Sequence, residues 1–182
     1  MSALRSAPEV GERLILLAAV SAVAADMDRQ EISSWLRRED LWRKASPAEK
    51  AFLSTDRPSQ KQTIHFSWQM EAVYVLGWAL NLVPELDPPT EQASIGDILE
   101  RMPGPGDRVG RFIASCSLRP ASEVHEAAEA ALNAHAYCRR AKSVGEAEPH
   151  GYDIEVAQER HRALNWLIRY DNAEWDDVAT DT

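Results

Sequence analysis

The chain has 182 residues, the length of one ordinary domain, and such a domain buries roughly 70% of the surface that its unfolded chain exposes. Hydrophobic residues make up 45% of it and charged residues 27%, close to globular averages, which excludes a disordered or fibrous chain. Twenty-nine acidic residues against 20 Lys and Arg give a net charge of -9, which repels phosphate backbones and anionic lipid head groups. We therefore expect neither nucleic acid nor a membrane surface as a partner.

Cysteine usage favours a reducing compartment. Cys116 and Cys138 belong to no C-x-x-C or Cys/His pattern, so the sequence predicts neither a zinc site nor a disulfide framework. We expect free thiols and a cytoplasmic location. Residues 14–25 form an apolar run that ends in small residues, as signal peptides do, which leaves secretion as the alternative. Ser6 and Glu9, three positions apart just before this run, are typical of a capping box and favour an amphipathic helix instead.

Helix start signals recur along the whole chain, and no stretch shows the sustained alternation of a half-buried strand. The predicted fold class is therefore all-α. In chain order, the predicted helices run from about Ala7 to Ala25, Asp28 to Arg38, Pro47 to Leu53, Gln60 to Val83, Ser94 to Met102, Pro120 to Lys142 and Asp153 to Tyr170. Residues 108–118 are short and partly apolar, and they fit either a helix or an extended segment.

The helix from about Gln60 to Val83 is expected at the centre of the fold. It is apolar around most of its circumference, which is typical of a helix surrounded by others, and it contains Trp68 and Trp78. The Pro-Gly stretch 103–106 is the only candidate linker, and it is too short to separate two domains. The sequence thus predicts one helical domain over residues 1–182, an irregular helical bundle around this Trp-rich helix.

Seven stretches spread over most of the chain carry a resemblance to a known family. They are Arg5-Ser6 with Glu9-Val10, Trp35-Leu36 with Leu41-Trp42, Ser46-Pro47-Ala48-Glu49 with Phe52-Leu53, Phe66-Ser67-Trp68 with Glu71-Ala72, Leu76 and Gly77-Trp78-Ala79-Leu80, Leu118-Arg119-Pro120 with Glu123-Val124, Glu159 to Leu167, and Trp175-Asp176-Asp177 with Thr180-Asp181-Thr182. The Trp-rich stretches and the closing one are the specific parts. In these residues the chain resembles domain of unknown function 4272, an uncharacterised and mainly bacterial family.

The resemblance implies a helical fold, and it carries over no activity, substrate or cofactor. The chain also departs from the family pattern in the helix after Pro120. Where the family tends to place an aromatic residue and an arginine before a His-Trp pair, this chain has Leu132-Asn133-Ala134-His135-Ala136. Any family site that uses this region is not expected to be complete here.

Glu71 is the most informative single residue. On a helical wheel it lies within about 20° of Trp78 and Leu82, so it is expected to be buried, and a buried carboxylate must be paired, hydrogen-bonded or protonated. In the last helix, Arg160 and His161 share the apolar face. We therefore predict that Glu71 pairs with one of these two side chains. The predicted polar pocket or buried network consists of Glu71, Arg160, His161, Asn165, Trp175 and Asp176.

This network has two possible roles, one structural and one functional. A buried ion pair that fixes the register of two helices is the more common role for such residues. A pocket in which Glu71 acts as a general base is the functional one. No other pattern predicts catalysis, a bound metal or a cofactor: His125-Glu126 lacks the second histidine of a zinc motif, and no nucleophile elbow or phosphate loop occurs.

Two hypotheses of function follow. The first is a non-catalytic helical protein that binds another protein through an acidic surface. The alternative is an enzyme or small-ligand binder that uses the polar pocket around Glu71, Arg160 and His161. A homodimer is compatible with either. Trp35, Trp42 and Trp175 lie near helix ends, where they are expected to line a groove or an interface.

Overall fold

Side-chain caps fix where the first helices begin. In the computed structural model, which describes residues 3–182, the Ser6 hydroxyl accepts the Glu9 N–H while the Glu9 carboxylate accepts the Ser6 N–H. The same reciprocal capping box joins Ser46 to Glu49. Each box satisfies two polar groups that a helix end otherwise leaves without partners. The predicted starts of these helices are confirmed.

The architecture is all-α within a single domain. The helices are α1 (Ala7–Ala24), α2 (Arg29–Arg38), α3 (Pro47–Ser54), α4 (Gln60–Ser67), α5 (Gln69–Ala79), α6 (Gly96–Leu99), α7 (Gly110–Ser115), α8 (Ala121–Val144) and α9 (Ile154–Leu167). Short 3-10 turns at Trp42–Lys44, Pro149–Gly151, Tyr170–Asn172 and Trp175–Asp177 connect or follow them. Residues 108–118, open between two interpretations in the sequence, contain the helix α7.

Helix α5 lies at the centre of the molecule. Every residue from Glu71 to Ala79 is buried, and α1 and α9 pack against it. One hydrophobic cluster surrounds α5 with residues of α1, α8 and α9, while a second joins α1 to α2, α3 and α4. Helix α1 contributes to both clusters, so it connects the two halves of the core.

The predicted single helix from about Gln60 to Val83 is wrong in its bounds. It is interrupted at Trp68, where the Ser67 hydroxyl donates to the Ile64 carbonyl and the Ser21 hydroxyl of α1 donates to the Phe66 carbonyl. Hydroxyl groups that bind helix carbonyls in this way bend a helix. The second half ends early, because Asn81 adopts a left-handed conformation that closes the helix before Pro84.

The short helix α6 also differs from the prediction. Ser94 does not cap it, and Ile95 occupies the N-cap position without a side-chain hydrogen bond. Helix α6 is held by packing instead: a Cβ on Gly77 of α5 would lie 2.5 Å from the Ile98 Cδ1 atom. Only a residue without a side chain lets α6 approach α5 so closely.

No helix among the described residues is long and apolar enough to cross a membrane.

Candidate functional site

The predicted pairing of Glu71 is present. Glu71 is 0% exposed, and its Oε2 atom lies 2.9 Å from the Nε atom of Arg160, itself 4% exposed. The other carboxylate oxygen, Oε1, accepts the backbone N–H of Ala93 at 2.8 Å. Each oxygen therefore has one protein donor, and the carboxylate is shielded from solvent.

The remaining hydrogen bonds of this pair hold the loop before α6. Arg160 donates through Nη1 to the Asp87 carbonyl at 2.6 Å and through Nη2 to the Glu91 carbonyl at 3.3 Å. The Tyr74 hydroxyl donates to the Asp87 carboxylate at 2.9 Å. We interpret the pair as a structural contact that joins α5, α9 and this loop, because Arg160 uses Nε, Nη1 and Nη2 on protein acceptors and a buried ion pair commonly fixes the geometry of the elements that it joins.

His161 and Asn165 form a second cluster, separate from Glu71. The Nδ1 atom of His161 lies 3.2 Å from Nδ1 of His135 on α8, and its Nε2 atom lies 3.0 Å from Nδ2 of Asn165. Asn165 also donates to the Ala179 carbonyl at 2.9 Å. Burial lowers the pKa of His161 to about 4, and His135 contributes to that decrease; burial lowers the pKa of His135 as well. Both rings are therefore neutral at pH 7.

Trp175 and Asp176 form a third cluster, which contacts α9 through Arg162 and Trp166. Trp175 is buried edge-on against Trp166 with ring centroids 5.5 Å apart, and Arg162 donates to its carbonyl at 2.9 Å. The Asp176 Oδ2 atom accepts the Ala48 N–H of α3 at 2.9 Å. Together these contacts attach the C-terminal segment to the start of α3.

The six predicted residues thus divide among three places instead of converging on one pocket. Arg160 borders a concavity of about 490 Å³ between α8, α9 and the loop 86–89, but neither Glu71 nor His161 lines it. A fourth buried cluster was not foreseen: Arg13 of α1 donates to both oxygens of Glu49 at 2.7 and 2.8 Å. Its signal was the charged residue within the apolar sequence of α1.

An apolar concavity, which we call the methionine groove, lies between α1, α2, α5 and the segment around α6. It measures about 440 Å³, and its walls include Ile15, Ile32, Trp35, Met27, Met70 and Met102. Three of the four methionines of the chain therefore meet there. The two hydroxyl side chains of the wall, Ser21 and Ser67, both donate to backbone carbonyls. The groove consequently presents an apolar surface.

Acidic residues lie close in sequence to two residues of the groove wall, although no carboxylate lines the groove itself. Met27 and Leu99, at 43% and 46% exposure, stand on its rim, with Asp26 and Asp28 flanking the first and Asp97 and Glu100 close to the second. All four carboxylates belong to exposed residues.

The neighbouring cations are already engaged by the protein itself. Arg29 donates to the Phe52 carbonyl, and Arg101 donates to the Leu82 carbonyl at 2.8 Å. Bonds to neutral carbonyls leave both guanidinium charges in place, so the two arginines offset part of the acidic charge, and the four carboxylates leave an excess of negative charge beside the groove.

Sequence reasoning identified only Trp35 of this groove as a groove residue. Ala18, Ala22 and Met70 have the spacing and chemistry of ordinary core positions, so no local signal separates them from the buried residues beside them. His135 was equally overlooked as a partner of His161. Its signal was its spacing, because Val124, Ala128 and His135 recur on one buried face of α8.

Among the described residues, no group of three or more His, Cys, Asp or Glu side chains could hold a metal ion. Cys116 is half-buried and Cys138 is buried, and burial raises the pKa of both thiols.

Comparison with known proteins gives one match. No curated protein and no solved structure matches the chain. The model of a family described as a domain of unknown function, DUF4272, matches residues 1–178. Since this match covers nearly the entire length, the chain belongs to the DUF4272 family.

Proposed function

We propose that the protein is a non-catalytic binding protein of the bacterial cytoplasm and that its methionine groove holds a basic amphipathic helix of a protein partner. The observation that carries this proposal is the groove itself, an open apolar concavity whose wall contains three methionines. Methionine side chains are flexible and polarisable, and they are characteristic of surfaces that accept the apolar face of a partner helix.

Charge supports the basic character of the partner. The exposed residues Asp26, Asp28, Asp97 and Glu100 lie within two positions of Met27 or Leu99 of the groove wall, and the chain carries a net charge of -9. A helix with leucine-like residues along one face and Lys or Arg beside them would bury its apolar face and place its cations against this rim. The same charge disfavours nucleic acid and anionic membranes as partners.

The dry contact between Glu71 and Arg160 favours binding over catalysis. The enzyme alternative requires a carboxylate that reaches substrate, whereas both oxygens of Glu71 are occupied by protein donors and the residue is 0% exposed. The free thiols of Cys116 and Cys138 are consistent with the cytoplasmic location.

A designed peptide tests the proposal without knowledge of the natural partner. The probe is a fluorescently labelled helix of about 18 residues with leucines on one face and lysines on the other, as helix-in-groove recognition requires. Its control has the same leucines and glutamates in place of the lysines. Fluorescence anisotropy should show saturable binding of the lysine peptide and at least about tenfold weaker binding of the glutamate peptide.

Variants locate the binding. Ala22→Trp places a large side chain in the groove, where Ala22 is half-buried, and should weaken binding at least about tenfold. The matched control is Ala51→Trp, an exposed alanine of α3 that does not line the groove, and it should bind as the parent does. Equal affinity of both variants would refute the groove as the site. If the groove is instead covered by a second copy of the chain, sedimentation will show a dimer that Ala22→Trp dissociates, and the proposal is wrong.

A further inference from the structure

A third concavity opens where the C-terminal half of α8 faces α9 and the end of the chain. It measures about 450 Å³, which is within the range of small-molecule sites. We call it the histidine pocket. Its polar side chains are those of His135, Arg139, Lys142, Ser143, Gln158 and Thr180. It contains none of the residues of the methionine groove.

The histidine pocket is cationic in an acidic protein. It is lined by Arg139 and Lys142 and, within the described part of the chain, by no carboxylate. Most Lys and Arg side chains elsewhere are used in ion pairs or bonds to carbonyls, but no such contact engages these two among the described residues. The charge of Arg139 is also felt at His135, where it helps to lower the pKa of the imidazole after burial, the larger cause.

Hydrogen bonds fix which nitrogen of His135 carries a proton. Because the Ala179 carbonyl and Nε2 of His161 both lie within hydrogen-bond distance of Asn165 Nδ2, the amide uses its two hydrogens on them. The Nε2 atom of His161 is then an acceptor, and the proton of this neutral ring is on Nδ1. That proton is donated to Nδ1 of His135, 3.2 Å away.

His135 consequently holds its own proton on Nε2. Among the described residues the structure gives this nitrogen no hydrogen-bond partner, although His135 is only 2% exposed and lines the pocket. The buried side-chain atoms of these residues that lack a partner do not include this nitrogen, so it reaches solvent, and its N–H is free to donate to a ligand in the pocket. The chain from Asn165 through His161 to His135 therefore supplies an oriented donor beside two cations.

We propose that the histidine pocket binds the phosphoryl group of a small phosphorylated molecule. Arg139 and Lys142 supply charge, and His135, Gln158 and the hydroxyl of Thr180 supply neutral donors. This number of donors exceeds the needs of the two oxygens of a carboxylate and suits the three terminal oxygens of a phosphoryl group. Asn165 and His161 act as positioning residues, because they set the tautomer of His135 without touching the ligand.

Long-range 1H–15N NMR spectra of the histidine rings test the donor directly. At pH 7 the ring of His135 should be the Nε2–H tautomer and the ring of His161 the Nδ1–H tautomer. An Nδ1–H tautomer at His135 would overturn the proposal, since the nitrogen left toward the pocket would then be an acceptor.

Titration with phenyl phosphate tests the ligand class, with benzoate as the carboxylate comparison, at constant ionic strength. The proposal expects phenyl phosphate to shift the His135 resonances with saturation and to bind at least about tenfold more tightly than benzoate. Equal affinities would overturn the choice of a phosphoryl group. Inorganic phosphate that binds more tightly than phenyl phosphate would overturn the small organic molecule and leave free phosphate as the ligand.

Two double variants distinguish binding in the histidine pocket from nonspecific attraction by positive charge. Arg139→Gln with Lys142→Gln should weaken phenyl phosphate at least about tenfold. Arg57→Gln with Lys61→Gln removes the same charge from exposed positions outside the pocket and should leave affinity within about twofold. If the first pair lowers stability but not affinity, the two cations serve only the C-terminal end of α8, and the proposal fails.

Discussion

The contact between Glu71 and Arg160 and the methionine groove use neighbouring residues of α5, Glu71 and Met70, but they differ in polarity and in open space. At the contact, two charged side chains are buried, and each carboxylate oxygen of Glu71 accepts a hydrogen bond from the protein. At the groove, space of about 440 Å³ remains open, and the wall offers no free polar side chain that could bind water well. Buried polar residues thus stabilise the contacts between the helices of this fold. The methionine groove, in contrast, is lined by apolar residue types that are typical of a core.

The first prediction tests the buried ion pair between Arg160 and Glu71. Arg160→Met leaves Glu71 buried without its cation and should lower the free energy of unfolding by about 3–5 kcal/mol, measured by urea denaturation. The control is Arg43→Met, which removes an ion pair between two residues whose side chains are 69% exposed and should cost about 0–1 kcal/mol. Similar losses in both variants would show that Glu71 does not depend on Arg160.

The second prediction compares the capacity of the two regions for added volume. Ala163→Leu inserts methylene groups at a position of α9 that is 0% exposed, and overpacking should cost about 1–3 kcal/mol. Ala22→Leu adds the same volume to the open groove and should change stability by less than about 0.5 kcal/mol. Urea denaturation of both variants gives the difference, and a large loss in Ala22→Leu would mean that the groove is already filled by its own walls.

The third prediction concerns pH. The pKa of His161 is lowered to about 4 from an ordinary 6.5, and the pKa of His135 is lowered too, both chiefly by burial. The unfolded chain therefore binds more protons than the folded protein between these values, and stability should fall as pH is lowered from about 6.5 to about 4. The slope is at most about 1.4 kcal/mol per pH unit for each histidine.

Denaturation at a series of pH values measures this slope. His161→Gln should reduce the slope between pH 6.5 and 4 and leave the part that comes from His135, whereas His150→Gln, at an exposed position, should leave the slope unchanged. A slope as steep in His161→Gln as in the parent would assign the pH dependence to other groups.

The fourth prediction concerns Asp176 and has the smallest expected effect on stability. Asp176→Asn weakens the acceptor that Asp176 offers to the Ala48 N–H and removes a negative charge from the start of α3. The loss should be about 0.3–1 kcal/mol and should shrink in high salt, because interaction with the helix dipole is screened. Asp177→Asn, which changes the neighbouring exposed carboxylate, is the control in thermal unfolding. A loss that salt does not reduce would contradict the dipole interpretation.

Local signals predicted the helices well where the cause of structure is local. Ser6, Ser46 and Ser59 start their helices because the cap and its partner are three residues apart. The break at Trp68 was not predicted, because a local bond from the Ser67 hydroxyl acts there together with the Ser21 hydroxyl from another helix, which no local signal reveals.

The same division holds for the candidate site. The burial and pairing of Glu71 followed from its helical face, because a charge among apolar residues requires a partner. The groove could not be predicted, because the partial exposure of Ala22 and Met70 depends on how far α2 and α6 cover them in the folded structure.

The most direct test of the proposed function uses the methionines as reporters. With 13C-labelled methionine methyl groups, the lysine peptide should shift the NMR signals of Met27, Met70 and Met102 with one common affinity. The shifts should disappear in Ala22→Trp and persist in Ala51→Trp. Signals that stay unchanged at saturating peptide, or that shift equally in Ala22→Trp, would contradict the proposal that this groove binds a basic amphipathic helix.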